Sequence, residues 1–349
     1  MPSVQKVFTE SEVAKHTQSN DAWFILDGEV YDVSQFLEDH PGGSEILLGN
    51  AGKNVSNHID ALHRHSQFAR MQLAEYRIGV VQDYVGPTER VVDGAITKAK
   101  KSADMTKVLM EMKDDTFLDL NKPLMPQVWD NRWSKRYYLE QVHIPRHTIN
   151  SPRFFSSSFL EMFTKNTWYG VLLLWVHIIY GCVYYAAQHM SAGLVLQLYL
   201  DGIFLWTVYE YVFHRHVFHM EDRLPDHRYA FVLHFLMHGV HHFLPMDRLR
   251  LVMPPLLLAV LSLPVVVIIR QFASWPATAA LLGGSYTGYL IYDMMHYYFH
   301  HGQVVAGYLQ RMKTNHMDHH YVDPNKGFGV SNLTWDAAFD TLLPINKAN

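Results

Sequence analysis

The chain has 349 residues, a formal net charge of −4 and an isoelectric point near 6.6. That length leaves room for two or three domains, and the mild acidity, with no long basic run, argues against a nucleic-acid binder. A single cysteine, Cys182, excludes intramolecular disulfides and thiolate metal clusters, so any metal here must rest on nitrogen or oxygen ligands. Histidine is the outlier: 16 of 23 lie beyond residue 150, where the apolar runs also concentrate. The mean hydropathy of −0.07 conceals this split between a polar first third and an apolar remainder.

The opening Met1-Pro2-Ser3-Val4-Gln5 lacks the basic start and apolar core of a signal peptide, so the expected starting side is the cytosol. Residues 6–82 read as a small α+β domain, with strand-like runs at 22–26 and 29–33 flanking a turn at Asp27-Gly28. Next comes Phe36-Leu37-Glu38-Asp39-His40-Pro41-Gly42-Gly43. This His-Pro-Gly-Gly resembles the haem-ligand motif of the cytochrome b5 family. The preceding strands, Ala51-Gly52 and His65-Ser66 agree with that family too. The resemblance implies haem b held between His40 and a second imidazole. His63, His65 and the more remote His58 all stand at candidate positions; His65 is preferred because Ser66 and Ala69-Arg70 continue the family pattern. With both axial positions filled, such a haem passes single electrons and does not activate oxygen. The implied electron donor is a cytochrome b5 reductase.

Residues 83–122 turn polar, through Gly86-Pro87-Thr88-Glu89-Arg90 and Lys98-Ala99-Lys100-Lys101-Ser102. They read as a tether, helical around 105–112. Residues 123–166 interleave aromatics with Arg and Lys (Trp129, Trp133, Arg136, Tyr138, Arg146, Phe154), the composition of an interfacial segment lying on a bilayer. Within 167–345 four apolar stretches follow, at 168–187, 194–213, 251–269 and 273–292. Each is read as a membrane span, the four forming two hairpins. From a cytosolic start, spans two and four end on the cytosolic side, where Arg215, Arg223, Arg228, Arg248, Arg250, Arg311 and Lys313 gather, as the positive-inside rule expects. The expected fold is therefore a small α+β haem domain followed by an all-α integral membrane domain with four transmembrane helices and a cytosolic, histidine-rich helical cap.

In His238-Gly239-Val240-His241-His242 the imidazoles fall at i, i+3 and i+4, which is expected to place all three on one helix face within reach of a common ion. The spacing returns at His316, His319 and His320; His296, His300 and His301 form a related cluster, and His214 with His219 opens the series. Ten histidines at matching spacing predict two metal ions: His214, His219, His238, His241, His242, His296, His300, His316, His319 and His320. His301 is an eleventh candidate, ranked below the ten because it lies about 100° further round the helix from His300. The isolated His177 and His189 read as structural or interfacial, while His216, His227 and His234 are candidates to support the ligands. Asp293 and Asp318 read equally well as groups orienting an imidazole or as solvated carboxylates. Imidazole suits iron, zinc and copper alike. A one-electron haem carrier on the same chain points to a redox-active pair, hence two iron ions, with zinc able to substitute. Few or no carboxylate ligands would separate this centre from the ferritin-like di-iron class.

With the tail Gly327-Phe328-Gly329-Val330 and Trp335-Asp336, residues from about 160 to 345 resemble the fatty acid hydroxylase superfamily, which includes sterol desaturases and methyl oxidases. The cytochrome b5-like domain in front, together with Pro123-Leu124-Met125-Pro126-Gln127-Val128 and Asn166-Thr167-Trp168-Tyr169-Gly170, narrows the resemblance to the fatty acid 2-hydroxylases. It implies an O2-dependent monooxygenase acting at carbon 2 of a long acyl chain, as free fatty acid, acyl-CoA or ceramide, at the endoplasmic reticulum membrane. Two other readings stand beside it. One is a sterol oxidase or acyl desaturase with the same metal centre. The other is a membrane-anchored electron carrier that merely stores metal, against which the regular histidine spacing argues.

Overall fold

The computed structural model describes residues 6–37, 40, 44–56, 73–82, 91–92, 95–96, 117–146, 148, 150–302, 304 and 307–344. The chain divides between Leu118 and Asp119 into two compact units.

The first unit is built on a five-stranded sheet in the order β1-β5-β4-β3-β2, formed by β1 (Val7–Phe8), β2 (Thr17–Gln18), β3 (Asp21–Leu26), β4 (Glu29–Asp32) and β5 (Arg77–Val81), with helix α1 (Glu10–Val13) following β1 and α2 (Ser44–Asn50) following β4 in the chain. The two strands expected around Asp27-Gly28 form the hairpin of β3 and β4, with Leu26 opposite Glu29. Both turn residues have positive φ, 51° and 80°, as a tight turn matching the strand twist requires. Alternation along β3 serves two apolar layers. Ala22, Phe24 and Leu26 join Tyr31, Val33 and Leu37 on one side, while Ile25 joins Val13 and Val30 on the other. The expected helix at 105–112 lies outside the described residues. At the end of the expected tether, Phe117 and Leu118 are buried, and Asp119 N–H donates to the side chain of Gln127.

The second unit is helical. Its entry segment carries α3 (Leu124–Asp130) and α4 (Lys135–Val142), and its aromatics pack inward. Tyr138 stacks on Phe231 with centroids 4.6 Å apart, and Phe154 stacks on Phe235. Thus part of the segment expected to lie on the bilayer lines the histidine-bearing layer instead. Its outward apolar surface is carried by Trp129 and, around the short helix α5 (Ser158–Glu161), by Phe159, Leu160, Met162 and Phe163.

Among the described residues, two helices are long and apolar enough to cross a membrane: α6 (Trp168–Ala187), and α7 (Ala192–Phe213) with its continuation to Arg223. The third and fourth expected spans are realised differently. Pro254 and Pro255 delay the start of α8 (Pro255–Arg270), whose 16 residues reach about 24 Å, short of a hydrocarbon core of about 30 Å. Conversely, α9 (Trp275–His301) runs for 27 residues and takes in the fourth expected stretch, so His296 and His300 lie within that helix and do not follow it. Leu173, Leu196, Leu200, Leu263, Val267 and Ile268 each expose more than half their surface, an outward apolar belt that suits lipid and not water.

The packing that places the histidines is the contact of α7 with α9. A Cβ at Gly284 would collide with the carbonyl of Tyr199, one at Gly202 with the carbonyl of Leu281, and one at Gly288 with Trp206. Small residues thus let the two backbones touch, as is usual between helices in lipid. Beyond α9, α10 (Gly307–Tyr321) and α11 (Thr334–Ala338) complete the unit. The loop between them is tied down by two buried carboxylates. Asp336 accepts the N–H groups of Phe328 and Gly329 at 3.0 and 2.8 Å and the Thr341 hydroxyl at 2.7 Å. Glu210, from α7, accepts the N–H groups of Val330 and Ser331, both at 2.8 Å, and the Ser331 hydroxyl.

Two predictions follow from this packing. Gly284→Val should lower the stability of the unit by about 1–3 kcal/mol through overpacking. Gly193→Ala, where a Cβ meets nothing within 4 Å, should be neutral or gain up to about 1 kcal/mol. Thermal melts of the two variants in detergent compare them directly, and equal midpoints would refute the close helix contact. Asp336→Ala strands two buried N–H groups at about 1–3 kcal/mol each, while Asp336→Asn, keeping one acceptor oxygen, should fall between it and the parent. A parent-like melt for the alanine variant would show that the carboxylate does not hold the loop.

Candidate metal centre

Ring nitrogens of the ten box histidines converge into two groups of five. His214, His219, His238, His242 and His319 form the first; His241, His296, His300, His316 and His320 form the second. Within each group one nitrogen per ring lies within 4.8 Å of all the others. The groups abut, with the rings of His242 and His320 4.4 Å apart between centroids. His301 belongs to neither.

Helix geometry explains the partition and corrects the expectation of one common ion for each His-x-x-His-His box. Residues at i and i+4 point almost the same way, whereas i+3 points to the other flank. His238 and His242 therefore turn to the first group and His241 to the second. The last box is reversed, sending His316 and His320 to the second group and His319 to the first. The second group gains another i, i+4 pair from α9, His296 and His300. For the first group the matching pair is His214 and His219, five apart. A π-helical turn over His214–Phe218, closed by the His219 N–H donating to the His214 carbonyl at 3.0 Å, makes that spacing work. A second π turn, Phe235–Gly239, precedes the 238–242 box.

The rings are held from behind. His214 Nδ1 donates to the Phe328 carbonyl at 2.6 Å and His319 Nδ1 to the Lys326 carbonyl at 2.7 Å. His219 Nδ1 lies 2.9 Å from Glu221 Oε1. Because a neutral imidazole has one N–H, these contacts leave the lone pair on Nε2, facing into the group. Burial, and then the neighbouring imidazoles, hold His238, His241, His242, His316, His319 and His320 well below the ordinary imidazole range. The rings are thus neutral donors at pH 7. Their Nε2 atoms approach at 3.1 Å (His214 and His238), 3.0 Å (His219 and His242) and 2.8 Å (His241 and His296). His319 Nε2 is buried with no hydrogen-bond partner among the described residues. Five imidazole nitrogens turned to one focus make a donor set that a cation at the focus of each group would satisfy together. An all-imidazole set fits iron, zinc or copper.

The remaining candidates have ordinary surroundings. Asp293 is buried and accepts from Met253 N–H and the Tyr289 hydroxyl, tying α8 to α9 and orienting no ligand. His177 and His189 are exposed and bond to carbonyls of their own helix. His216 is exposed, and His227 caps the helix Arg228–His234. Sequence reasoning did not single out Glu221, His143 or the two carbonyl acceptors. Glu221, two residues beyond His219, was visible as a nearby carboxylate; nothing marked the others. In the first unit His40 is buried, its ring edge-on to Phe36 with centroids 5.7 Å apart. His58, His63 and His65 lie outside the described residues.

Comparison with known proteins agrees with this division. Residues 9–82 match the cytochrome b5-like heme/steroid binding domain, a domain that implies haem, and residues 199–341 match the fatty acid hydroxylase family. The chain is 34% identical to the ceramide very long chain fatty acid hydroxylase of Saccharomyces cerevisiae, covering 98% of this chain and 97% of that protein. It is 33% identical to the fatty acid 2-hydroxylase of Mus musculus, covering 97% and 95%. The solved structure of full-length scs7p, in which only the hydroxylase domain is visible, superposes with a TM-score of 0.64 at 37% identity, covering 67% of this chain and 89% of that one. With relatives matched from end to end and a histidine-lined site in the matched domain, the chain belongs to the fatty acid 2-hydroxylase family.

Proposed function

We propose that the chain hydroxylates carbon 2 of a long acyl chain, free or in ceramide, at a pair of iron ions held by the two histidine groups, with electrons from its own haem domain. The observation that carries the reading is the convergence of ten buried imidazoles into two abutting groups of five. When bound, the iron pair supplies oxygen activation and C–H hydroxylation, and the haem supplies electrons one at a time. The protein's residues hold the acyl chain and keep water out. Beside His214 an apolar cleft opens between α7, α8 and α9, lined by Trp206, Tyr209, Phe213, Met253, Leu258 and Leu261. His214 itself, Glu210, Phe218 and Tyr292 complete its lining. This suits a substrate whose polar head stays at the surface while its tail enters the membrane domain.

In the same reading the haem is held by His40 and His65 and reduced by a cytochrome b5 reductase. The helical unit sits in the endoplasmic reticulum membrane with four spans, the short α8 included, and its histidine groups and N-terminus face the cytosol. Support comes from the short turns joining α6 to α7 and α8 to α9, the positive-inside distribution and the exposed apolar belt. Iron is preferred to zinc because a one-electron donor on the same chain calls for a redox-active acceptor.

Lipid mass spectrometry of cells expressing the chain should show sphingolipid acyl chains heavier by one oxygen, placed at carbon 2 by fragmentation and reduced to background by His241→Ala. Altered sterols with unchanged acyl chains would move the substrate to another branch of the superfamily. His40→Ala should abolish the reduced-haem absorbance bands and most of the product while leaving metal content unchanged; persistence of bands and product would refute the role of the haem domain.

A further inference from the structure

We infer that Glu221 is the positioning carboxylate of the first histidine group, acting through His219, and that it makes the two metal sites unequal in affinity. The inference rests on the paired-metal reading above. Glu221 opens the short 3-10 turn Glu221–Arg223, directly after the π turn that delivers His219. Its Oε1 lies 2.9 Å from His219 Nδ1, 3.2 Å from His143 Nε2 and 3.5 Å from His234 Nε2. Those three imidazoles come from separate parts of the fold: the end of α7, the residue after α4, and the end of the helix Arg228–His234. Each is in turn held or enclosed. His143 Nδ1 donates to the Leu139 carbonyl at 3.0 Å, and the Tyr138 hydroxyl lies 2.8 Å from His234 Nδ1. A carboxylate enclosed by three imidazoles is well placed to be functional, because its own desolvation must be offset by those contacts.

The chemistry follows from which nitrogen each contact occupies. A carboxylate 2.9 Å from Nδ1 of His219 favours the proton on that nitrogen and the lone pair on Nε2, and its negative charge makes Nε2 a stronger donor. His214 and His319 are oriented by neutral carbonyls, which fix direction but bring no net charge. Among the described residues, Nδ1 has no hydrogen-bond partner at one ring of the first group, His242, and at three of the second, His300, His316 and His320. A cation in the first group therefore meets an anion one ring away and two rings fixed from behind by hydrogen bonds, which favours that group as the tighter site.

The test uses the full-length, haem-loaded chain, stripped of metal and titrated with Zn2+ against a chromophoric chelator, with haem absorbance counting chains. The parent should take two equivalents, one more tightly than the other. Glu221→Gln should weaken the tighter equivalent by about 10–100-fold, the usual cost of losing such an outer partner, and leave the other unchanged. Glu221→Asp, which keeps the charge, should recover most of the loss. With Co2+ as the probe, visible bands of the tighter equivalent should shift in the Gln variant and return toward the parent's in the Asp variant. Unchanged affinities in Glu221→Gln, equal weakening of both equivalents, or equal losses in the Gln and Asp variants would overturn the inference. A third equivalent, present in the parent and lost in Glu221→Gln, would also overturn it by making Glu221 a direct ligand with His143 and His219. Fewer than two equivalents in the parent would instead refute the paired-metal reading itself.

Discussion

Each histidine group gathers five ring nitrogens within a few ångströms in dry protein, and much of the surrounding structure consists of means for keeping them there. A flexible or solvated cluster would turn its rings to water. In the first group, Nδ1 of His214 and of His319 is bonded to a backbone carbonyl, which stops those rings from turning, and Nδ1 of His219 lies 2.9 Å from a carboxylate. The carbonyls in turn depend on the loop around Phe328, which Asp336 and Glu210 secure through four buried N–H groups. Orientation at the centre is thus passed outward by hydrogen bonds to the helix ends and, through Glu210, to the apolar helix α7.

The splitting of each His-x-x-His-His box between two groups has a mechanical consequence. One turn of helix contributes to both positions, so the separation of the two groups is set by the rise and twist of the backbone and not by a flexible connection. Two such turns, running through the boxes at 238–242 and 316–320, supply complementary shares: a pair to one side and a single ring to the other. The π turn at His214–Phe218 supplies the remaining pair of the first group, where an ordinary helical turn would have swung His219 away. Local irregularity therefore appears where the ligand pattern requires it.

The apolar helices and the metal centre impose opposite demands that meet at the contact of α7 with α9. Lipid gives no hydrophobic drive for two apolar helices to associate, so close approach through Gly202, Gly284 and Gly288 has to supply van der Waals contact instead. That contact also brings the end of α7, bearing His214, beside the end of α9, bearing His296 and His300. A substrate with a polar head and an apolar tail would be matched to this junction, where an apolar cleft reaches the edge of the first histidine group.

Much of this was legible in the sequence because it depends on local chemistry. The hairpin around Asp27-Gly28 follows from residues that accept positive φ, α6 follows from an uncharged apolar run, and the ten histidines stood out by type and spacing. The grouping of those histidines was not legible: periodicity shows that His238, His241 and His242 share a helix face, but which flank meets which neighbour is set by elements up to eighty residues away. The span boundaries were likewise approximate, since Pro254-Pro255 shortened one helix and continued hydrogen bonding carried α9 through His300. Glu221 and His143 carried no sequence signal comparable to the boxes, because a supporting contact needs only proximity in three dimensions and no fixed spacing along the chain. Sequence by itself determined which atoms were available to hold metal and where the chain is apolar. Only the tertiary structure decided how those atoms are shared between two sites, because that depends on helix crossing, a π turn and loop closure, which are properties of packing and not of pattern.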